Sequence, residues 1–152
     1  MTKIVNDLLD VAKIDQKVPI FYSTANYHSV VRINKIKINE TAKTQSFYNV
    51  LPELNHNEMV GWTNLRLAPF FIFLVDTAIS DRHRRRFEVM EELWDEQQLP
   101  YTNLRLHGTT HLEKIWYGFL FGDFLAYHLA IAGNVDPIPV KMVVEFKRRM
   151  EN

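Results

Sequence analysis

Four short segments rich in apolar residues are spaced along the chain as the strands of a buried sheet would be. They cover residues 18–23, 46–50, 69–77 and 101–108. The third segment, PFFIFLVDT, is apolar on both of its faces, which is typical of a parallel strand covered by helices on each side. The fourth alternates apolar and polar residues, as a half-buried strand does. The pattern therefore predicts a sheet built from these segments.

Segments with helical composition separate the strands. They predict helices over residues 27–44, 53–62, 80–98, 110–132 and 139–150. Pro52 suits the start of a helix, and Ser80 and Thr110 are favoured N-cap residues. A lead-in helix is predicted over residues 1–17, before the main domain at 18–152. Strands alternating with helices predict an α/β fold, a three-layer αβα sandwich around a mostly parallel sheet of about four to five strands.

Length and composition exclude several classes of function. The 152 residues fit one domain, and Lys plus Arg balance Asp plus Glu at 18 each, which leaves no broad basic field for nucleic acid. The absence of cysteine excludes disulfides, thiolate metal sites and thiol catalysis. The acidic N-terminus is unlike a signal peptide, and the apolar stretch 67–75 is too short for a bilayer. We therefore expect a cytoplasmic protein that engages no membrane.

The densest polar cluster is PELNHNE, residues 52–58, directly after the second predicted strand. On a helix, Glu53, His56 and Asn57 fall close to one face, where they could act together on a ligand. A solvated helix start, or a structural histidine with satisfied hydrogen bonds, explains the same pattern. The residues alone leave both interpretations open.

Two further charged segments have simple structural interpretations. INETAK, residues 38–43, places Glu40 within a predicted helix, where a surface ion pair with Lys43 would contribute little. The basic run HRRR, residues 83–86, lies within helical reach of several glutamates and predicts a solvated helix face.

Metal and anion sites have weaker support in the sequence. His56 and Glu58 lack HExxH spacing, and a predicted turn separates His107 from His111, so we expect no metal ion. The GTT segment at 108–110 and the Ser23–Thr24 pair are candidate anion contacts at strand ends.

Three motifs follow one another in an order known from one protein family. INETAK resembles a NENAK segment, and PELNHNEMVGW at 52–62 resembles a PELNHNE-x-x-GW signature. GDFLAYHLA and VDPIPV, between residues 122 and 140, precede a last helix with Phe146 and Lys147. Over nearly the whole of residues 18–150 the chain thus resembles the C-terminal SIS (sugar isomerase) domain of the bifunctional phosphoglucose/phosphomannose isomerases.

This resemblance implies roles for three residues. Glu40 matches the base that moves a proton between C1 and C2 of the open sugar. His56 matches the ring-opening histidine that the neighbouring subunit supplies, and Lys147 matches a lysine near the ring oxygen. The implied reaction interconverts glucose 6-phosphate, and in bifunctional members mannose 6-phosphate, with fructose 6-phosphate through a cis-enediol. It needs no metal and no cofactor.

The resemblance also implies partners. Family members carry two SIS domains and act as dimers, so we expect a homodimer and an N-terminal SIS domain or partner chain that holds the main phosphate-binding loop. Trp62, Phe119 and Phe121 are candidate interface anchors, with core packing as the alternative. The chain departs from the family pattern at Thr41 and Ile138. A non-catalytic SIS module that binds sugar phosphates is the alternative function, and an excised domain that merely folds is a third.

Overall fold

The computed structural model describes residues 16–151, and these build a four-stranded sheet in which every neighbouring pair of strands is parallel. The strands are β1 (Val18–Thr24), β2 (Phe47–Leu51), β3 (Pro69–Val75) and β4 (Tyr101–Arg105), in the order β2-β1-β3-β4. In this register Tyr22 pairs with Asn49 on one side and Phe73 on the other. The predicted parallel α/β fold is confirmed, with four strands.

Helices cover both faces of this sheet. They are α1 (His28–Lys37), α2 (Glu58–Gly61), α3 (Asp81–Glu96), α4 (His111–Ala132) and α5 (Lys141–Met150). Both predicted caps are confirmed: the Ser80 hydroxyl accepts from the His83 amide, and Thr110 forms a capping box with Glu113. The predicted lead-in helix at 1–17 lies almost entirely outside the described residues.

Two apolar cores lie on opposite faces of the sheet. The first joins the sheet to α1 and α4 through residues that include Phe21, Val30 and Phe121. The second is dominated by aromatic rings, with Trp94 stacked on Phe71 at a centroid distance of 4.5 Å and an interplanar angle of 5°. These two cores make the three layers that the sequence predicts.

The packing decides the alternatives for the three candidate interface anchors. Trp62 is buried in the second core and Phe121 in the first. The core-packing alternative therefore holds for both, and their prediction as interface anchors is wrong. Phe119 is partly buried against the first core and touches Trp116 edge to face. An aromatic side chain serves a core and an interface equally well, so residue type alone could not separate the two.

The predicted helix at 53–62 is wrong as a single element. A cis peptide bond joins Leu51 to Pro52, and the chain then forms a short 3₁₀ turn (Glu53–Asn55), α2, and a second 3₁₀ turn (Trp62–Asn64). Asn57 donates its amide N–H to Glu53 at 2.6 Å. That bond would suit a helix, so the break is instead explained by Glu58, whose carboxylate is held by Tyr22 and Asn49 on the sheet.

Candidate active site

Glu40 lies in a wide helical turn, residues Ile38–Ala42, that continues α1. Lys43 ends this turn with φ 56°, and the Asn39 amide donates to the Thr44 carbonyl at 2.7 Å. The Lys43 ammonium donates to the backbone carbonyls of Glu40 and Pro137. Lys43 therefore stabilises the turn instead of pairing with the Glu40 carboxylate, and the predicted surface ion pair is not formed.

The Glu40 turn forms one wall of a groove with a volume of about 740 Å³. The opposite wall comes from the C-terminal segment, including Val140 and Phe146. This volume lies within the usual range for small-molecule sites, and the lining is mostly apolar with a few polar groups beside it. Glu40 thus lies at the edge of a concave surface of a size that small-molecule sites commonly have.

His56 lies on the loop that follows the carboxyl end of β2, between the first 3₁₀ turn and α2. Its side chain is exposed, and neighbouring residues of PELNHNE hold the loop in place. The Asn55 amide contacts the sulfur of Met90 at 2.9 Å, and its carbonyl oxygen accepts from Arg86 at 3.1 Å. His56 is therefore displayed on a loop whose anchors are other side chains.

Glu58 is a further anchor of this loop, and from the sequence alone it is considered only as a metal ligand. Its carboxylate accepts from the Tyr22 hydroxyl and from the Asn49 amide, the latter at 2.6 Å. Burial, together with the charge of Glu58, raises the pKa of Tyr22 above its ordinary value, so the phenol remains a donor. Tyr22 and Asn49 are paired on adjacent strands, which means that Glu58 ties the loop to the sheet itself.

Within one chain, Glu40 lies towards the amino end of β2 and His56 towards its carboxyl end. α1 leads back from the carboxyl end of β1, so Glu40 precedes the amino end of β2, whereas His56 follows its carboxyl end. The five residues of β2 alone span about 16 Å. One copy of the chain does not bring the carboxylate and the imidazole together, so a shared site requires a second copy.

Lys147 lies on α5, which has no buried residue. Phe146, its neighbour, lines the groove beside Glu40, although Lys147 itself does not. Within residues 16–151, the side chains of Glu40, His56 and Lys147 make no hydrogen bond or ion pair. All three predicted site residues are therefore exposed and available to a ligand or a partner.

A second polar network, missed in the sequence, lies at the carboxyl end of β3. The Asp76 carboxylate accepts from Tyr27 and Lys114, both at 2.6 Å, and His111 lies 3.3 Å from the Tyr27 hydroxyl. Burial disfavours the charged carboxylate, but the hydrogen bonds from Lys114 and Tyr27 outweigh it and lower the pKa of Asp76. The sequence did contain a signal for this network, because the acidic residue Asp76 directly follows β3, the most apolar strand.

The candidate anion contacts at strand ends are already occupied or inward-facing. Glu113 accepts from the Thr109 hydroxyl and from the backbone N–H groups of Thr110 and Thr109, and these hydrogen bonds lower its pKa to about 2. Those donors are not free for a ligand, so the predicted contact at 108–110 is wrong. Ser23 donates to the Leu74 carbonyl at 2.6 Å, and Thr24 is buried.

Within HRRR, Arg85 forms surface ion pairs, as expected of a solvated helix face. Arg85 bridges Glu88 and Glu92 on the exposed face of α3, at 3.3 Å and 3.0 Å. Among residues 16–151, no three His, Cys, Asp or Glu side chains are grouped to hold a metal ion.

Comparison with known proteins gives a consistent result over nearly the whole chain. The family described as "Bacterial phospho-glucose isomerase C-terminal SIS domain" matches residues 10–150. The chain is 30% identical over 135 residues to the bifunctional phosphoglucose/phosphomannose isomerase of Thermoplasma acidophilum, covering 89% of this chain and 43% of that protein. The corresponding protein of Aquifex aeolicus is 28% identical, with 88% and 42% covered.

A solved structure agrees in fold. The glucose-6-phosphate isomerase like protein of Thermus thermophilus superposes with a TM-score of 0.66 at 16% identity, over 85% of this chain and 41% of that one. At this identity the match supports the fold alone. The chain spans less than half the length of each relative that it matches.

Proposed function

Because the chain belongs to the family of bacterial phosphoglucose isomerase C-terminal SIS domains, we propose that it is the catalytic half of a cytoplasmic aldose–ketose isomerase. It interconverts fructose 6-phosphate with glucose 6-phosphate, and with mannose 6-phosphate where the pocket accepts both. The observation that supports this most strongly is the exposed, unpaired Glu40 carboxylate at the edge of a groove of about 740 Å³. An unpaired carboxylate beside a concave surface is free to act on a ligand bound there.

Glu40 acts as the general base in this proposal. Once the sugar ring is open, the carboxylate takes the proton from the carbon next to the carbonyl while the carbonyl oxygen gains a proton from solvent, which gives a cis-enediol. The same group returns the proton to the former carbonyl carbon while the hydroxyl on the neighbouring carbon loses its proton to solvent and becomes the new carbonyl, which completes the exchange of aldose and ketose. A glutamate is ionised at neutral pH, and closure of the groove by substrate would raise its basicity by excluding water.

His56 of a second copy opens the ring. The anomeric hydroxyl must lose a proton while the ring oxygen gains one, and an imidazole can both accept and donate a proton at neutral pH. Lys147, as a cation near the ring oxygen, would stabilise the negative charge that develops there. No metal ion or cofactor takes part.

The rest of the site comes from outside this chain. The candidate anion contact at 108–110 does not fill this role, because Glu113 occupies the backbone donors of Thr109 and Thr110. The phosphate would bind to an N-terminal SIS domain or a partner chain, which agrees with the fraction of the relatives that this chain spans.

Proton exchange provides the test. The chain, alone and mixed with the N-terminal half of a relative, is incubated with fructose 6-phosphate in D₂O, and the sugars are followed by NMR. We expect glucose 6-phosphate with deuterium at C2, and its loss in Glu40→Gln but not in Glu96→Gln, an exposed control on α3. Turnover that survives Glu40→Gln would overturn the base assignment. Sugar-phosphate binding without turnover or exchange would instead support the non-catalytic alternative.

A further inference from the structure

The outer face of α4 carries six large apolar side chains that no other part of residues 16–151 covers. Each is between 43% and 63% exposed. They are Leu112, Trp116, Leu120, Phe124, Tyr127 and Ile131. Their spacing of three or four residues places them within about 120° of the helix circumference. We refer to these six residues as the α4 stripe.

The opposite face of α4 packs against the core, so the stripe points away from the core. Gly118 approaches Val30, and Gly122 approaches Asn34, so α4 packs closely on α1. By length and composition alone, α4 could cross a membrane. Only 33% of its most apolar 18-residue segment is buried, whereas the core helix of a globular domain would be mostly buried. The apolar residues that raise its hydropathy therefore divide between a core and an uncovered surface.

The α4 stripe is large enough to matter for association. Its exposed side chains amount to roughly 600 Å², against roughly 800 Å² per partner in a typical specific interface. Patches of this size on a monomer are usually functional. Trp, Tyr and Phe are also the residue types enriched in interface centres.

The order of residues along the stripe matches itself in reverse. When two α4 helices pack antiparallel about a point near residues 121–122, Leu112 lies opposite Ile131 and Trp116 lies opposite Tyr127. Leu120 then lies opposite Phe124, beside the two-fold axis. Aliphatic residues meet at the ends, Trp116 and Tyr127 bring two rings together, and an aliphatic residue meets a ring at the centre. An isologous interface requires this kind of self-complementarity.

The charges near the stripe do not oppose this packing. Two carboxylates, those of Asp123 and Glu113, fall within the same arc of the helix. Asp123 is paired with Lys37 at 2.6 Å, and Glu113 caps its own helix through Thr109 and Thr110. Both carboxylates are thus compensated within one copy, so the centre of the interface would bring no unpaired charges together.

We propose that the α4 stripe is the surface through which two copies of this chain associate, with their α4 helices antiparallel about a two-fold axis. Trp116 and Tyr127 are the anchors, and each meets the other on the opposite copy. The edge-to-face contact with Phe119, at 5.9 Å, holds the Trp116 ring in place before association. The inference concerns assembly and does not depend on catalysis.

Two variants of opposite charge test the interface and its direction. Trp116→Glu and Tyr127→Lys are compared with the unchanged chain by light scattering and sedimentation equilibrium, after circular dichroism has shown that each is folded. The unchanged chain should have twice the monomer mass of 18.0 kDa. Each variant should weaken association by about 100-fold, as expected for the loss of a central anchor.

Mixing the two variants gives the sharper result. In a mixed antiparallel pair, the new glutamate faces the new lysine and the second Trp116–Tyr127 contact remains intact, so the mixture should recover the dimer mass. Val60→Glu, which adds a charge at a residue that is 71% exposed outside the stripe, should leave the dimer unchanged.

Three outcomes would overturn the proposal. The first is a monomeric unchanged chain at every concentration, which would leave the stripe to a different partner such as an N-terminal domain. The second is a mixture of the two variants that stays monomeric. The third is a monomeric chain that sediments with phosphatidylcholine vesicles, which would assign the stripe to a membrane surface.

Discussion

The Lys43 ammonium donates to the carbonyl oxygen of Pro137 at 3.2 Å, and this bond joins the Glu40 turn to the C-terminal segment across the groove. The two partners are 94 residues apart in the sequence. The bond sets the separation of the two walls because α5 and its preceding loop have few other attachments: α5 has no buried residue.

Removing this bond should loosen one wall of the groove without unfolding the domain. In Lys43→Met the aliphatic stem stays while the ammonium is lost. We expect faster amide hydrogen exchange in residues 135–141 and a change in unfolding free energy of less than about 1 kcal/mol, since the bond is exposed. Lys35→Met, on α1, is the matched control. Unchanged exchange in 135–141 would show that the bond does not hold the segment.

The close approach of α4 to α1 depends on Gly122. A methyl group at this position would lie far inside van der Waals contact of the Asn34 amide, so Gly122→Ala should destabilise the domain by about 1–3 kcal/mol. In the double variant Asn34→Ala/Gly122→Ala the obstructing amide is gone, and most of the loss should be recovered. Urea unfolding measures both values.

A second glycine supplies the control for helix propensity. Gly61, in α2, has nothing within 4 Å of an added methyl group, so Gly61→Ala should be neutral or stabilising by up to about 1 kcal/mol. If Gly122→Ala were equally harmless, the helix–helix contact described here would be wrong.

The Asp76–Lys114 pair should make stability depend on acid pH. Both side chains are 12% exposed, and the pKa of Asp76 is lowered in the folded state. A depressed pKa contributes stability that is present above the unfolded value, near 3.9, and lost as pH falls through the folded value. Lys114→Met, which leaves the carboxylate without its cation, should cost about 2–4 kcal/mol at pH 7.

The same pair gives a pH signature that packing alone would not produce. The difference in unfolding free energy between the unchanged chain and Asp76→Asn should be largest at neutral pH and should shrink below about pH 4. A difference that stays constant between pH 7 and pH 3 would contradict the assigned cause of the pKa shift. Tyr27→Phe, which removes one donor and no charge, should show a smaller effect of the same sign.

Periodicity and cap chemistry were enough to predict the sheet and most helices. The apolar run in β3 and the caps Ser80 and Thr110 are local features, and the structure confirms them. The division of the predicted helix at 53–62 could not be predicted from periodicity, because it depends on the hydrogen bonds of Glu58 with Tyr22 and Asn49 on the sheet. These contacts are long-range, and helical spacing does not contain them.

The site shows the same division. Motif resemblance selected Glu40, His56 and Lys147, and the structure finds all three exposed. The Asp76 network escaped notice because Tyr27, Lys114 and His111 come from three separate segments that only the fold brings together. Trp62 and Phe121 were ambiguous for a related reason, since burial is decided by packing and not by residue type.

In the proposed enzyme, two copies of the chain share each active site, with Glu40 from one copy and His56 from the other. Mixing Glu40→Gln with His56→Asn, each inactive by itself, tests this directly by isomerase assay in the presence of the N-terminal half of a relative. Mixed dimers contain one site with both residues intact, so activity should return to about a quarter of the unchanged level, assuming random exchange of subunits. If both groups act from the same copy, mixed dimers will contain no intact site, and the mixture will stay as inactive as its components.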